Sequence, residues 1–571
     1  MYIGAIWIRS CEVKRWQLQK TMTAILHTCY ASTGQEWMRV PTASALSRRL
    51  NSPTLKDTSP HGRSESQHIY GPNPHRPGLG TMLCLRAAAC SVALCVIAGC
   101  TLGPNFKSPA PNYGDMISIP IEQNTASTKM IGGDAEALQV GGEVAGRWWE
   151  LYRSAELTSL VEQAVRDNPD LQAAGEALNR AKQLELAEGS KRLPALDANV
   201  SQQRRRHAQA EDGDVGPASY YSISNVHIGA VYDLDLWGGI RRSIEASGAQ
   251  TDYAHFEMEA AYLALTSNVV TTVIEKSAID EKIRIQQHIV EIDQNWLDIM
   301  VAQAGLGTSS DFDVALQQST LARSKSVMET LLMDREQVQH RLAALMGKPV
   351  SAVSDISIDL DTLRLPRTLP VTLPSKLIEQ RPDIKAAEAV LHAQTALVGV
   401  AAAQRLPDIT ISGRLGSASL DATTLFGPGS GLWSVSAGVT QTIFDAGKRR
   451  YRQRAQEAAM READARWRTT VVEAFHSLSD VLSSLQHDAV KLQLAANGEM
   501  AAHHVQMLLE HQRELGSVSV LKVLAAQQTY QNASLELVQA RAQRFVDTVV
   551  LYRELGGGWW NRGDVGQYPA H

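Results

Sequence analysis

The sequence predicts a mixed α+β membrane protein in which one unit, a helix, two strands and two long helices, is used twice. Three observations predict it: an internal duplication at an offset of about 210 residues, paired stretches alternating apolar with polar residues, and an unusually long proline-free helical pattern.

The duplication comes first, because 571 residues could otherwise be read as three or four unrelated domains. "NPDLQAAGEAL" (Asn168 to Leu178) parallels "RPDIKAAEAVL" (Arg381 to Leu391), and Leu193-Pro194 parallels Leu406-Pro407 at the same spacing. "LWGGIRR" (Leu236 to Arg242) parallels "FDAGKRR" (Phe444 to Arg450), Gly307 with Val314 matches Gly516 with Val523, and Gly347 matches Gly556. Five anchors in one order place repeats at 151–350 and 381–558, with a linker at 351–380 and a tail at 559–571.

Each unit opens on a helix start. Asn168 and Pro169 stand where an N-cap and a first-turn proline belong, and Arg381-Pro382-Asp383 repeats the pattern with a weaker cap. After Pro194 and Pro407 the period becomes two: Leu196, Ala198 and Val200 alternate with Asp197, Asn199 and Ser201, and Ile409 and Ile411 with Thr410 and Ser412. In the second strand Val226, Ile228, Ala230, Tyr232, Leu234 and Leu236 face one way, with His227, Gly229, Asp233 and Asp235 opposite; Trp433, Val435, Ala437, Val439 and Ile443 repeat this. Such segments match transmembrane β-strands, although a soluble sandwich strand could share the pattern.

From about Ser243 to Ala304 no proline interrupts a helical pattern, which would extend roughly 90 Å. Ile285, Ile289, Ile292, Trp296 and Ile299 form a heptad seam that demands helical neighbours, continued toward the strands by Leu263, Val270 and Ile274; Trp296 reads as packing. Four strands cannot close a membrane barrel, since the smallest barrels need about eight and an open edge in lipid leaves backbone groups unpaired. The chain is therefore expected to oligomerise: three copies supply a twelve-stranded barrel, with the long helices continuing below it as a tube.

A net charge of −5 and a pI near 6.4 argue against a nucleic-acid partner. All six cysteines lie within the first hundred residues, which suits an oxidising compartment and excludes a thiol nucleophile or cysteine-ligated metal in the body. From Met82, "MLCLRAAACSVALCVIAGC" has the order of a signal peptide, at residues 82–99, and is too short for a permanent membrane helix. Ile97-Ala98-Gly99-Cys100 resembles the bacterial lipobox, which implies acylation of Cys100, an acylated N-terminal segment over 100–150 and, with Thr101 following, outer-membrane sorting. The competing reading makes Cys100 a buried residue ending a core helix. Residues 1–81, crowded with Ser, Pro, His and Arg, imply no core and are expected to be absent from the mature protein, the competing reading being a disordered extension.

With "CTLGPNF", "RWWELYRSAELTSLVEQAVRDNPDL", "YDLDLWGGIRR", "LPSKLIEQRPDIKAAEAVL", "LPDITISGRLG", "TIFDAGKRR" and "LYRELGGGW", the chain from Cys100 to about Trp560 resembles a TolC-like outer-membrane efflux protein. The resemblance is to the lipidated NodT/OprM type of outer-membrane factor that works with resistance-nodulation-division pumps. It implies a homotrimer with a twelve-stranded outer-membrane barrel, a periplasmic α-helical barrel and an equatorial belt containing the 351–380 linker. It also implies an inner-membrane pump and a periplasmic adaptor as partners, contact with outer-membrane lipid, and no cofactor or catalytic chemistry.

The helix turns at "AGLGTSSDFDV" (Ala304 to Val314) and "RELGSVSVLKV" (Arg513 to Val523) would then be the periplasmic tips. Gly307 and Gly516 suit turn positions with positive φ. The resemblance adds that Gly307, Thr308, Ser309, Gly516, Ser517 and Val518 meet the adaptor. The pore would constrict at Asp311, Asp313 and Lys522. Lys522 and Ala525 stand where related proteins often carry aspartates; a pore-facing ring of Lys522 would disfavour cations, whereas an outward Lys522 would be solvated or pair with Asp313.

"RRRH" (Arg204 to His207) and "EDGD" (Glu211 to Asp214) are expected in a solvated loop beside the first hairpin. His503 and His504 are adjacent and so lie on different helix faces; with His207 and His227 they support no metal site. No phosphate-cradling glycine loop or hydrolase triad pattern is present. Besides an exit duct for small molecules, the sequence admits the outer-membrane component of a type I protein-secretion system and a lipid-anchored periplasmic coiled-coil protein without a pore.

Overall fold

Chain order repeats as the duplication predicts. The computed structural model describes residues 101–109, 124–208, 216–353, 356–371 and 374–563. Residues 1–81, the segment 82–99, Cys100 and Glu211 to Asp214 lie outside the described residues. The first half runs β1 (Ala137–Val140), α1 (Ala155–Asp167), α2 (Pro169–Gly189), β2 (Ala195–His207), β3 (Ser219–Asp233), α3 (Gly239–Gly305) and α4 (Asp311–Leu345). The second runs β4 (Thr368–Val371), α5 (Pro374–Gln380), α6 (Pro382–Ala403), β5 (Asp408–Ser419), β6 (Gly431–Thr440), α7 (Lys448–Glu514) and α8 (Val520–Glu554).

The two halves match to the residue in their long helices. Both α3 and α7 have 67 residues and both α4 and α8 have 35, so the second copy follows the first by 209 positions, from Gly239 against Lys448 to Leu345 against Glu554. At the helical rise these are rods of about 100 Å and about 50 Å. The shorter rod of each half therefore covers half of the longer one, and α2 or α6 takes up the remaining length.

The end-to-end joins show how. Asn168 caps α2 by accepting from the Leu171 amide at 2.9 Å while its own amide donates to the Leu345 carbonyl at 2.9 Å, so α2 begins where α4 stops. In the second half Arg381 supplies no side-chain cap, the weaker start expected from the sequence, and its guanidinium reaches the Glu554 carbonyl at 2.9 Å and carboxylate at 2.7 Å instead. The glycine anchors belong to the same joins. Gly347 (φ 63°) and Gly556 (φ 87°) end α4 and α8 in the left-handed region, and a Cβ there would lie 2.5 Å from the Asp167 carbonyl oxygen or 2.8 Å from that of Gln380. Only glycine meets both demands.

The four long strands form one antiparallel sheet in the order β2-β3-β5-β6, so the two hairpins pair through β3 and β5, with Ser224 opposite Ser419 and Asp233 opposite Thr410. The core lies at mid-height instead, where Trp148, Trp149, Tyr152, Phe475, Phe545 and Tyr552 gather between α1 and the middle or ends of the long helices. Trp148 stacks on Tyr552 at 5.5 Å, and the Tyr152 hydroxyl donates to the Phe545 carbonyl.

Two features of this belt have no sequence signal. β1 and β4 pair in parallel, Ala137 opposite Thr368, joining the N-terminal segment to the stretch between the repeats. Beside them Glu136 and Arg544 form a wholly buried ion pair at 2.7 Å, with Thr548 donating to the same carboxylate. A second buried pair joins Arg562 to Glu259 at 2.8 Å, with the Arg562 guanidinium 3.7 Å from the Tyr262 ring centroid. These pairs tie the N-terminal segment and the C-terminal end to the long helices.

Burial pushes the Glu136 carboxyl up to about 7, with Arg544 and Thr548 acting in the opposite direction. The folded chain thus holds this proton at higher pH than the unfolded chain, so its contribution to stability is complete below about 4.5 and is lost as pH rises through about 7. Glu136→Gln is expected to remove a stability difference on the order of 3 kcal/mol between pH 5 and pH 8. Thermal unfolding of both proteins across that range measures it; parallel pH profiles would show that Glu136 contributes no such slope.

Candidate functional site: sheet faces and helix tips

The register divides the sheet into two faces. Residues paired across an antiparallel ladder point the same way, so Leu196, Val200, Ile228, Leu415, Trp433 and Val435 share one face, and Asp197, Asn199, His227, Arg414, Ser434 and Ser436 share the other. The apolar row is exposed, Leu196 at 74% and Trp433 at 77%. A sheet that shows water both an apolar and a polar face is unstable; lipid on the first and a water-filled lumen on the second remove the conflict. Within one chain's described residues the outer edges of β2 and β6 pair with no strand.

The basic run does not form a loop, contrary to expectation. Arg204 to His207 continue β2, opposite Ser222 to Ser219, because the ladder extends beyond the apolar residues that mark the strand in the sequence.

Where strands give way to helices, an acidic cap recurs. Asp235 accepts from the Ile240 and Arg241 amides at 3.0 and 2.9 Å, and Asp445 from those of Gly447 and Arg449 at 2.9 and 3.1 Å. Gly238 (φ 76°) and Gly447 (φ 85°) are the residues that enter α3 and α7. The equivalence of these glycines shifts by one residue the pairing that "LWGGIRR" and "FDAGKRR" suggest. Buried Arg242 holds the N-terminal strap, donating to the Leu102 carbonyl at 3.1 Å and to Asn105.

At the opposite end the two tips share one geometry. Gly307 and Gly516 both have φ 71°. Thr308 and Ser517 return their amides to the Gln303 and Gln512 carbonyls at 2.9 Å, and their hydroxyls donate to the same oxygens. These bonds, with those of the glycine amides to Ala304 and Arg513, make a Schellman turn at each tip. Thr308 and Ser517 are exposed, and Ser309 and Val518 half-buried.

The turns diverge one residue later. Ser310 and Asp313 form a capping box, with the Asp313 amide donating to the Ser310 hydroxyl oxygen at 3.2 Å and the Ser310 amide donating to the Asp313 carboxylate at 3.4 Å. The counterparts 209 residues on are Ser519 and Lys522: Ser519 makes no side-chain cap, and Lys522, whose ammonium has no lone pair, has nothing to offer the N-cap amide. Lys522 is exposed and makes no ion pair with Asp313. Asp311 is exposed in the first turn of α4, and Ala525 is exposed on α8.

The Outer membrane efflux protein family model matches residues 160–348 and 373–557, one stretch in each half. This chain belongs to the outer membrane efflux protein family. It is similar to the pyoverdine export outer membrane protein OpmQ of Pseudomonas putida, 28% identical over 417 residues, 72% of this chain and 88% of the relative. It is also similar to the outer membrane protein OprJ of Pseudomonas aeruginosa, 27% identical over 488 residues, 83% of this chain and 97% of the relative. Its fold matches the Campylobacter jejuni CmeC outer membrane channel at a TM-score of 0.74 and 22% identity, covering 82% of this chain and 97% of that one. It also matches the open state of the Neisseria gonorrhoeae MtrE outer membrane channel at 0.69 and 22%, covering 80% and 98%. The protein is thus an outer-membrane efflux channel whose β-barrel strands continue into a long periplasmic helical portion.

In this efflux protein the heptad seam is only partly closed. Ile289 and Trp296 are buried, but Ile285 and Ile292 face a crevice of about 470 Å³ between α3, α7 and α8, and Ile299 is exposed. The buried positions of α3 include Gln286 and Asp293, whose polar groups are met from α4: Gln286 donates to the Ser324 carbonyl, and Gln317 donates to the Asp293 carbonyl. Trp296 packs, as read, and also links the hairpins: its Nε1 donates to Gln527 at 3.2 Å, and Arg513 stacks on its ring. His503 packs at a tilt against Tyr530, ring centroids 4.9 Å apart. The described residues contain no cluster of three or more metal-ligating side chains.

Asp313→Ala is expected to weaken the first tip by about 1 kcal/mol through loss of the capping box. Hydrogen exchange should then accelerate at the α4 N-terminus and stay unchanged at Ser519 to Lys522. Equal exchange at both tips before and after substitution would remove the cap from the account.

Proposed function

We propose that three copies of this efflux protein close one passive exit duct, β6 of each copy pairing with β2 of the next to complete twelve strands. The duct passes small molecules that an inner-membrane pump of the resistance-nodulation-division type delivers through a periplasmic adaptor. The observation that carries this reading is the two-faced sheet with two free edges, because lipid tolerates neither an open edge nor a polar face. The energy comes from the pump, and this component performs no reaction and needs no cofactor.

Acylated Cys100 anchors the chain. Leu102 donates its amide to the Trp237 carbonyl at 3.2 Å, which fits a lipid attachment at the junction of sheet and helices, level with the membrane surface. At the far end the tip residues Gly307, Thr308, Ser309, Gly516, Ser517 and Val518 meet the adaptor. Exposed Leu306, Phe312 and Leu515 beside them offer the apolar anchors such a contact needs. Asp311, Asp313 and Lys522 line the constriction, the acids favouring cations and the three lysines opposing them.

Native mass spectrometry of the protein extracted from bacterial membranes tests the assembly. A trimer of subunits starting at an acylated Cys100 is expected; a monomer without lipid would overturn both anchor and barrel. In planar bilayers Lys522→Asp is expected to shift selectivity toward cations, and unchanged selectivity would remove Lys522 from the constriction.

A further inference from the structure

We propose that Arg204 and Arg206 form a binding site for the phosphate groups of anionic lipid in the outer leaflet of the membrane. The inference rests on the barrel reading above and adds a ligand to its outer wall.

Alternation along β2 puts Arg204 and Arg206 on the face of Leu196, Ala198 and Val200, the face that meets lipid, and puts Arg205 and His207 on the lumen face. This end of β2 is the hairpin end: α2 leads into Ala195 and β3 returns to α3 after Asp233, so Arg204 to His207 lie away from the helices and toward the cell exterior. The apolar row ends at Val200, opposite Val226, and the next pair outward is Gln202 with Ser224.

Heights then decide what the arginines meet. At about 3.3 Å per residue Arg204 lies about 13 Å and Arg206 about 20 Å along the strand beyond Val200. With the usual barrel tilt, those become rises of roughly 10 and 15 Å. The polar layer outside the hydrocarbon is roughly 5–8 Å thick on each side; a long arginine side chain can bend back into it from just above at Arg204, and only at full stretch from Arg206. Among the described residues neither meets a carboxylate: Arg204 has no ion pair, and Arg206 has its guanidinium 5.8 Å from the Tyr220 ring centroid. Ser222, between Arg204 and the next strand, and Tyr220 beside Arg206 add neutral hydroxyls on the same face. Two guanidinium forks at the level of the head groups, with no acid on that face of β2, are complementary to phosphate, which they can hold through paired N–H donors. The flat wall and the apolar row below it make a lipid, rather than a free anion, the occupant.

The test uses the full chain in detergent, titrated with bisphosphorylated lipid A and followed by native mass spectrometry, with dephosphorylated lipid A and phosphatidylcholine for comparison. Lipid A adducts are expected on the wild type, with apparent affinity about tenfold lower in the Arg204→Gln, Arg206→Gln double variant. Arg205→Gln, on the lumen face, should leave them unchanged. Equal adducts on the double variant, or equal uptake of the dephosphorylated lipid, would overturn the site. Single-channel conductance separates the two readings: a wild type that does not conduct refutes the barrel, whereas a conducting wild type without phosphate preference refutes only the site. If the double variant does not assemble, the single variants are expected to lose about threefold each, and no loss in either would overturn the proposal.

Discussion

Backbone hydrogen bonding in lipid governs this structure. A membrane offers no water to an unpaired N–H or C=O, so the free edges of β2 and β6 are intolerable in a single chain, and the closure proposed above supplies their partners from copies of the same sheet. Closure then fixes where each strand leaves the membrane, and Asp235 and Asp445, capping the first turns of α3 and α7, convert those exits into helix directions. The tube below is therefore oriented by the ladder above it. Its own helices do not impose that order in one chain, since their largest apolar cluster lies in the mid-height belt and residues such as Leu494 and Met507 stay exposed.

Head-to-tail joining answers the other geometric problem. A helix that covers half of its neighbour leaves four carbonyls at its end and four amides at the start of the helix stacked on it. Asn168 serves both sets in the first half. In the second half a guanidinium serves the carbonyl end alone, so equivalent joints share their geometry but not their chemistry.

Much of this was legible because it is periodic. The duplication, the strand alternation and the helix starts at Asn168 and Arg381 are local or repeating signals, and the glycines at 307, 347, 516 and 556 are residues whose backbone role is written in their identity. What stayed hidden lacks a period. β1 and β4 have four residues each and find each other across more than 200 positions, and the Glu136–Arg544 pair is two ordinary charges until the fold buries them. Arg204 to Arg206 looked like loop because three successive cations override the alternation around them, yet their alternate faces have opposite surroundings. Lys522 was visible as an anomaly, but its meaning depends on the 209-residue equivalence that makes it the partner of a helix-capping aspartate.

The matched helix lengths constrain how such a chain can change over generations. One residue inserted in α3 would turn everything beyond it by about 100° and push its tip out of level with that of α7, misplacing the buried stripe and the mouth of the tube together. The strands, at 13, 15, 12 and 10 residues, show no such equality, because a hairpin projecting outside the cell has no partner tip to meet. Insertions and deletions should therefore accumulate at the external loops, and a periplasmic helix should change length only when its counterpart in the other half changes with it.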